Sequence, residues 1–146
     1  MNFRIEKKEG FQIIGRKCDG SYDKWCDFDK TGLPRLESTG LFKAPFWYVA
    51  ASFLNRQNDE SVIIGAQLEG SNFPKDMDLE TIPQAVWAVF PFVFRHGEDA
   101  AGETYARVVT EWLPQSKYIR DERAPYLEVY GHSGGCFEIW VPVLSK

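Results

Sequence analysis

Short apolar runs rich in β-branched and aromatic residues punctuate the chain, and the two polar stretches between them carry apolar residues at helical spacing. "FQIIGRK" (Phe11 to Lys17), set off by Gly10, predicts the first strand, with "NFRIEKK" before it either pairing with it or remaining an arm. Tyr22, Trp25 and Phe28 recur every three residues and predict a short helix from Ser21 to about Thr31, ended near Gly32, with "LPRLEST" a candidate for another turn. "PFWYVAASFL" and "SVIIGAQLEG", joined by the polar "NRQNDE", predict an antiparallel hairpin. "SNFPKDMDLETIPQ" has two prolines and no apolar period, and reads as a linker.

The same order then repeats. "AVWAVFPFVF" predicts a strand that ends or bulges at Pro91, which has no ladder donor. Ala101, Tyr105, Val108, Val109 and Trp112 form one helical stripe, closed by Pro114, with Glu98, Asp99 and Glu103 at the end where the helix dipole favours acids. "APYLEVYGHSGGCFEIWVPV" predicts a final hairpin turning at "HSGG". The expected fold class is therefore α+β: a tandem β-α-β-β duplication with pseudo-two-fold symmetry, half-repeats about 1–70 and 82–146 of one domain. Its antiparallel sheet carries the helices on one face and leaves a ligand groove on the other.

Composition narrows the functions. Seventeen basic and 21 acidic residues give a net charge of -4, and no Lys/Arg stripe is present, so nucleic acid is not an expected partner. The absence of an N-terminal apolar signal or a long apolar run predicts neither secretion nor a membrane span. Three cysteines without CxxC spacing (Cys18, Cys26 and Cys136) favour a reducing cytoplasm over a disulfide or zinc framework. His96 and His132 lack neighbours at ligand spacing, so neither a metal nor a cofactor is expected. Cys26, among acids in "KWCDFD", is not a nucleophile candidate, and no G-x-S-x-G, P-loop or dinucleotide motif occurs.

What stands out is 15% aromatic content together with acids inside strands. Alternation sets Tyr126, Glu128 and Tyr130 on one face of a strand and Leu127 and Val129 on the other. If Leu127 and Val129 pack on the helices, Glu128 faces the groove, with Trp140 expected beside it across the hairpin. A desolvated carboxylate there titrates high, and a cation restores its charge, helped by ring faces. The alternative is an ion pair of Glu128 with Arg120 or Arg123. Glu138 is expected to hold backbone donors at the hairpin, the alternative being to line the groove; Tyr105 and Trp112 are expected to anchor the core, and one of Trp47 and Tyr48 to line the groove.

The tracts "GFQIIGRK", "VWAVFPF", "EWLPQSKY", "APYLEVY" and "CFEIWVPV" together resemble the GyrI-like small-molecule-binding domain, the effector module of AraC-type and multidrug-responsive MerR-type regulators that also occurs alone. The resemblance implies two β-α-β-β units with a hydrophobic groove between them, in which a buried Glu among rings meets lipophilic cations. Carried onto this chain, that Glu is Glu128, and the rings include Trp140 and Trp87. Neither a helix-turn-helix nor a close match over the first half accompanies it. The implied function is binding of cationic or aromatic small molecules. One alternative is hydrolysis of electrophilic cyclopropane-containing natural products through Glu128; another is gyrase-inhibitor-like protein interaction. A homodimer through exposed strand edges, or a separate regulator, are the expected protein partners.

Overall fold

The computed structural model describes residues 1–40, 48–93, 95, 98–131 and 137–146. Among these residues, nine strands and two helical rods follow one another: β1 (Arg4–Lys8), β2 (Phe11–Cys18), then α1 (Tyr22–Asp27) running through a π turn (Phe28–Gly32) into α2 (Leu33–Thr39). Next come β3 (Tyr48–Ser52), β4 (Val62–Gln67), β5 (Asp78–Ile82) and β6 (Ala85–Phe92). The second rod is α3 (Ala100–Arg107), a π turn (Val108–Trp112) and α4 (Leu113–Gln115), and β7 (Tyr118–Arg120), β8 (Tyr126–Tyr130) and β9 (Phe137–Ser145) close the chain.

Both rods run past the points where the sequence predicts their ends, for one reason. A proline inside a helix has no N–H and pushes away the carbonyl four residues back. Here the turn before each proline widens instead of breaking: the Leu33 amide ahead of Pro34 bonds back to Phe28 O, and the Leu113 amide ahead of Pro114 to Val108 O. The two Leu-Pro pairs thus mark equivalent places in the two rods.

All strands join one antiparallel sheet in the order β1-β6-β9-β8-β3-β4-β2-β5, with β7 added along β9. Exchanging β1 with β5, β6 with β2, β9 with β4 and β8 with β3 leaves that order unchanged, so a pseudo-two-fold passes between β3 and β8. Two expectations need correction. The N-terminal segment neither pairs with β2 nor stays an arm: it pairs with β6, Arg4 opposite Val89. The stretch read as a linker contains β5, which pairs with β2, Phe11 opposite Ile82. Each half lends its first strand to the outer edge of the other. The polar residues that disguised these segments suit edge strands, which keep one flank in water.

The strand registers sort the side chains into two faces. On one, Ile14, Ala50, Ile64 and Ala66 pack against Phe28 and Leu36 of the first rod, while Ala88, Phe90, Ile139, Val141 and Val143 pack against Ala101 and Val108 of the second. On the other, Ile13, Val49, Ala51, Ile63, Trp87, Val89, Leu127, Val129 and Trp140 form a buried cluster with no helical residue in it. The sheet must curl to close that face on itself. Gly15 and Gly65 permit the bend, since a Cβ on either would collide with the backbone of the facing strand. Among the described residues, no helix is long and apolar enough to cross a membrane.

Candidate functional site

The first rod covers β2 and β4, the second covers β6 and β9, and the two central strands between them lie open. Above β3 and β8 is a cavity of about 900 Å³ lined by Ala50, Ser52, Tyr126, Glu128 and Tyr130 from the floor and by Tyr22, Trp25, Ala101 and Gly102 from the rods. Small side chains at Ala50, Ala101 and Gly102 keep the space free. Glu128 stands at the centre, directly opposite Ala50, where the pseudo-two-fold crosses the sheet. The duplicated scaffold thus carries its acid on one side of the axis only.

Glu128 lies on the helix-bearing face, not behind it. Leu127 and Val129 belong to the closed face, so the groove lies between the two rods and shares their side of the sheet. Tyr130 donates its hydroxyl hydrogen to Glu128 Oε2 at 2.7 Å. Burial raises the Glu128 pKa, the Tyr130 hydrogen bond pulls it partly back, and the nearby charge of Asp99 raises it further. Among the described residues no base pairs with it: Arg123 is engaged with Asp121 at 2.8 Å, and neither Arg123 nor Arg120 bonds to Glu128. The Arg–Glu128 alternative is therefore not realised.

Rings build the walls. Tyr126 stacks on Tyr105 of α3 with centroids 3.8 Å apart and planes 13° from parallel. Trp25 meets Tyr130 edge-on at 5.8 Å, and Tyr48 backs both, 5.6 Å from Trp25 and 5.5 Å from Tyr130. Tyr48 is held by its hydroxyl, which donates to Asp29 Oδ1 at 2.9 Å. Burial raises the pKa values of Tyr48, Tyr126 and Tyr130, so all three hydroxyls remain protonated donors near neutrality.

Four of the expected site residues, Tyr48, Tyr126, Glu128 and Tyr130, come together here. Trp87 and Trp140 do not: they meet each other on the closed face at 6.0 Å. Register is the reason, because Glu128 faces Ile139 across the hairpin and Trp140 faces Leu127. Trp47, His96, His132, Cys136 and the "HSGG" turn lie outside the described residues. Glu138 has a structural place, accepting from Arg4 Nη1 at 2.5 Å and from the Trp140 indole at 3.2 Å. Trp112 is an anchor beneath the second rod, 5.0 Å from Phe90.

Sequence reading missed Trp25 and Asp99. Trp25 belongs to the stripe that predicts the first helix, and its place at the rim follows only from how the rod crosses the sheet. Asp99 had a signal in its acid-then-small-residue pattern: its Oδ1 accepts the Gly102 amide at 2.9 Å, capping α3, and a Cβ at Gly102 would collide with that carboxylate.

An acid recessed among aromatic rings on a duplicated α+β scaffold defines a small-molecule-binding module. The GyrI-like small molecule binding domain model matches residues 1–144, and the chain belongs to that family. Comparison with curated protein sequences gives no match. Among solved structures, a putative bacterial transcription regulation protein from Staphylococcus aureus MU50 superposes with a TM-score of 0.70 at 14% identity over 98% of each chain. SAV2435 bound to tetraphenylphosphonium gives 0.62 at 16%, over 99% of this chain and 94% of that one. The EcmrR C-terminal domain gives 0.61 at 9%, over 99% and 98%. At these identities the likeness speaks for the fold.

Proposed function

We propose that the protein binds lipophilic, ring-bearing cations in the cavity between its helical rods, with Glu128 as counter-ion. The observation that carries this is Glu128 itself, recessed at the centre of a ring-lined cavity with no base paired to it among the described residues. A delocalised cation entering the cavity meets a carboxylate that it returns to the charged form and ring faces worth about 0.5–2 kcal/mol each. An anion meets the same field with the opposite sign. The fold partner SAV2435, bound to tetraphenylphosphonium, supports the choice of ligand class. Varied ring-bearing cations fit so open a cavity, and Glu128 discriminates by charge more than by shape. The proposed setting is the bacterial cytoplasm, with a transcription regulator as the downstream partner.

The test titrates tetraphenylphosphonium against wild type and Glu128→Gln, following quenching of tryptophan fluorescence, which Trp25 in the wall should dominate. Equal affinities would remove Glu128 from the role.

A second reading, hydrolysis of a strained electrophilic ring, is favoured by the 2.7 Å hydrogen bond between Tyr130 and Glu128. A high-titrating carboxylate beside a hydroxyl donor suits general acid–base work on a water molecule. Incubation with a cyclopropane electrophile, followed by mass spectrometry, decides it: equal turnover by wild type and Glu128→Gln rejects hydrolysis.

A further inference from the structure

We infer that the cavity is built for flat, fused-ring cations, with Tyr126 as the platform on which the ring system lies and Tyr105 as the positioning residue that holds Tyr126 in place. This deepens the cation-binding reading above and rests on it. It adds shape to the recognition: Glu128 selects the charge, and the tyrosine pair selects planarity.

The pseudo-two-fold relates Tyr126 to Tyr48 on the central strands and, through the matching Leu33-Pro34 and Leu113-Pro114 pairs, Tyr105 to Trp25 on the rods. The two ring pairs occupy equivalent places and adopt different geometries. Trp25 and Tyr48 meet edge-on, 5.6 Å apart at 69°. Tyr105 and Tyr126 lie face to face, 3.8 Å apart at 13°. Tyr130 is met at angles between 51° and 87° by its ring neighbours Trp25, Tyr48, Phe92 and Phe137. Among the described residues, Tyr126 is therefore the one cavity-lining ring with a parallel partner.

Tyr105 does not line the cavity; it stands behind Tyr126, half-buried against the core of the second half. One face of Tyr126 is thus covered, yet the residue still lines the cavity, and its other face is the one a ligand meets. Among the described residues, no Lys or Arg of the chain lies over that ring. A flat ligand placed there extends the stack by one layer in the offset arrangement that rings prefer. A propeller-shaped cation touches the same ring only along an edge. Glu128 points into the same cavity two residues along the strand, about 7 Å away, so charge delocalised over a fused ring system reaches it without leaving the platform. The small side chains of Ala50, Ala101 and Gly102 leave room for the added layer.

The test titrates two monocations by calorimetry, the flat N-methylacridinium and the propeller-shaped tetraphenylphosphonium, into wild type, Tyr105→Leu and Tyr105→Phe. Leucine keeps apolar bulk on the rod and removes the backing ring, whereas phenylalanine keeps the ring; circular dichroism verifies the fold of each. Tyr105→Leu is expected to lose about ten-fold for N-methylacridinium, the scale of one stacked pair, and no more than about three-fold for tetraphenylphosphonium. Tyr105→Phe is expected to stay within about two-fold of wild type for both probes. The absorption band of N-methylacridinium bound to wild type should move to the red and lose intensity, the mark of a stacked ring, and that change should shrink in Tyr105→Leu. The same bias between probes is expected from Tyr126→Leu, which removes the platform itself and serves if Tyr105→Leu does not fold. Equal losses for both probes, no loss, a phenylalanine variant as weak as the leucine one, or an unchanged band in wild type overturn the platform. If wild type binds tetraphenylphosphonium but not N-methylacridinium, this inference fails and the cation-binding function stands. If wild type binds neither, both fail.

Discussion

The two faces of β8 carry the same backbone into opposite environments. Leu127 and Val129 enter a cluster that the sheet closes on itself, beside the Trp87–Trp140 pair. One residue along, Tyr126, Glu128 and Tyr130 look into the space between two helical rods. The closed face is shaped by register and curvature, and its side chains pack into one buried cluster. The other face is held open because the rods sit over the flanking strands and small residues stand at the centre. The comparison teaches that an acid is tolerated in this strand by where the duplicated halves leave a gap, and that the closed core and the proposed binding cavity lie on different sides of one sheet.

Substitutions on the closed face should therefore cost stability without touching ligand affinity, and those on the open face should do the reverse. The largest effect is expected from Trp87→Ala, which empties a fully buried site: about 3–5 kcal/mol lost in urea denaturation, with the affinity of the folded fraction for tetraphenylphosphonium unchanged. A loss of affinity matching the loss of stability would join the two faces into one unit.

Glu128→Gln comes next, with about 30-fold weaker cation binding, roughly 2 kcal/mol, by fluorescence titration. Its stability should move the other way. The Glu128 carboxyl titrates above its ordinary 4.5 when folded, so the folded state holds a proton that the unfolded chain releases. Stability from this group is present below that value and falls as pH rises from 4.5 toward the raised pKa, a slope that Gln removes. Thermal melts across the acidic range should show the wild-type slope flattened in the variant. A variant less stable than wild type at neutral pH would mean that Glu128 is held by a favourable charge partner.

A smaller change is expected from Tyr130→Phe, which removes the hydrogen bond that favours the charged carboxyl: affinity down about ten-fold, with the pH midpoint of cation binding moved upward. A midpoint moved downward would mean that the hydroxyl stabilises the protonated acid. Smallest is Glu138→Gln on the closed side, costing at most about 1 kcal/mol of stability because its partner Arg4 is exposed, and leaving cation binding intact.

Much of this division was legible in the chain. The repeated order of strands and helices and the position of Glu128 between Tyr126 and Tyr130 follow from hydrophobic periodicity and strand propensity, whereas Glu138, expected to hold backbone donors at the hairpin, accepts from the side chains of Arg4 and Trp140. What alternation does not give is which face of a strand meets the helices. That depends on the exchange of β1 and β5 between halves and on the curl permitted at Gly15 and Gly65. Trp87 and Trp140 were expected in the groove because the family resemblance carries pocket rings onto them, and Trp140 also because the hairpin brings its strand beside Glu128. Antiparallel pairing places Trp140 opposite Leu127, one residue out of phase with the acid. The strand β5 was hidden by Asp78, Glu80 and two flanking prolines; Glu80 is buried and neutralised by Arg56 at 2.5 Å and Lys17 at 3.2 Å, partners that only the fold supplies.

The central claim, that Glu128 gives up a proton to meet a cation, is tested most directly by calorimetric titration of tetraphenylphosphonium in buffers of different ionisation enthalpy across the weakly acidic range. Wild type is predicted to release protons on binding, in an amount that shrinks as pH rises, while Glu128→Gln releases none. Tight binding to wild type with no proton release at any pH in that range, or the same release from both proteins, would contradict it.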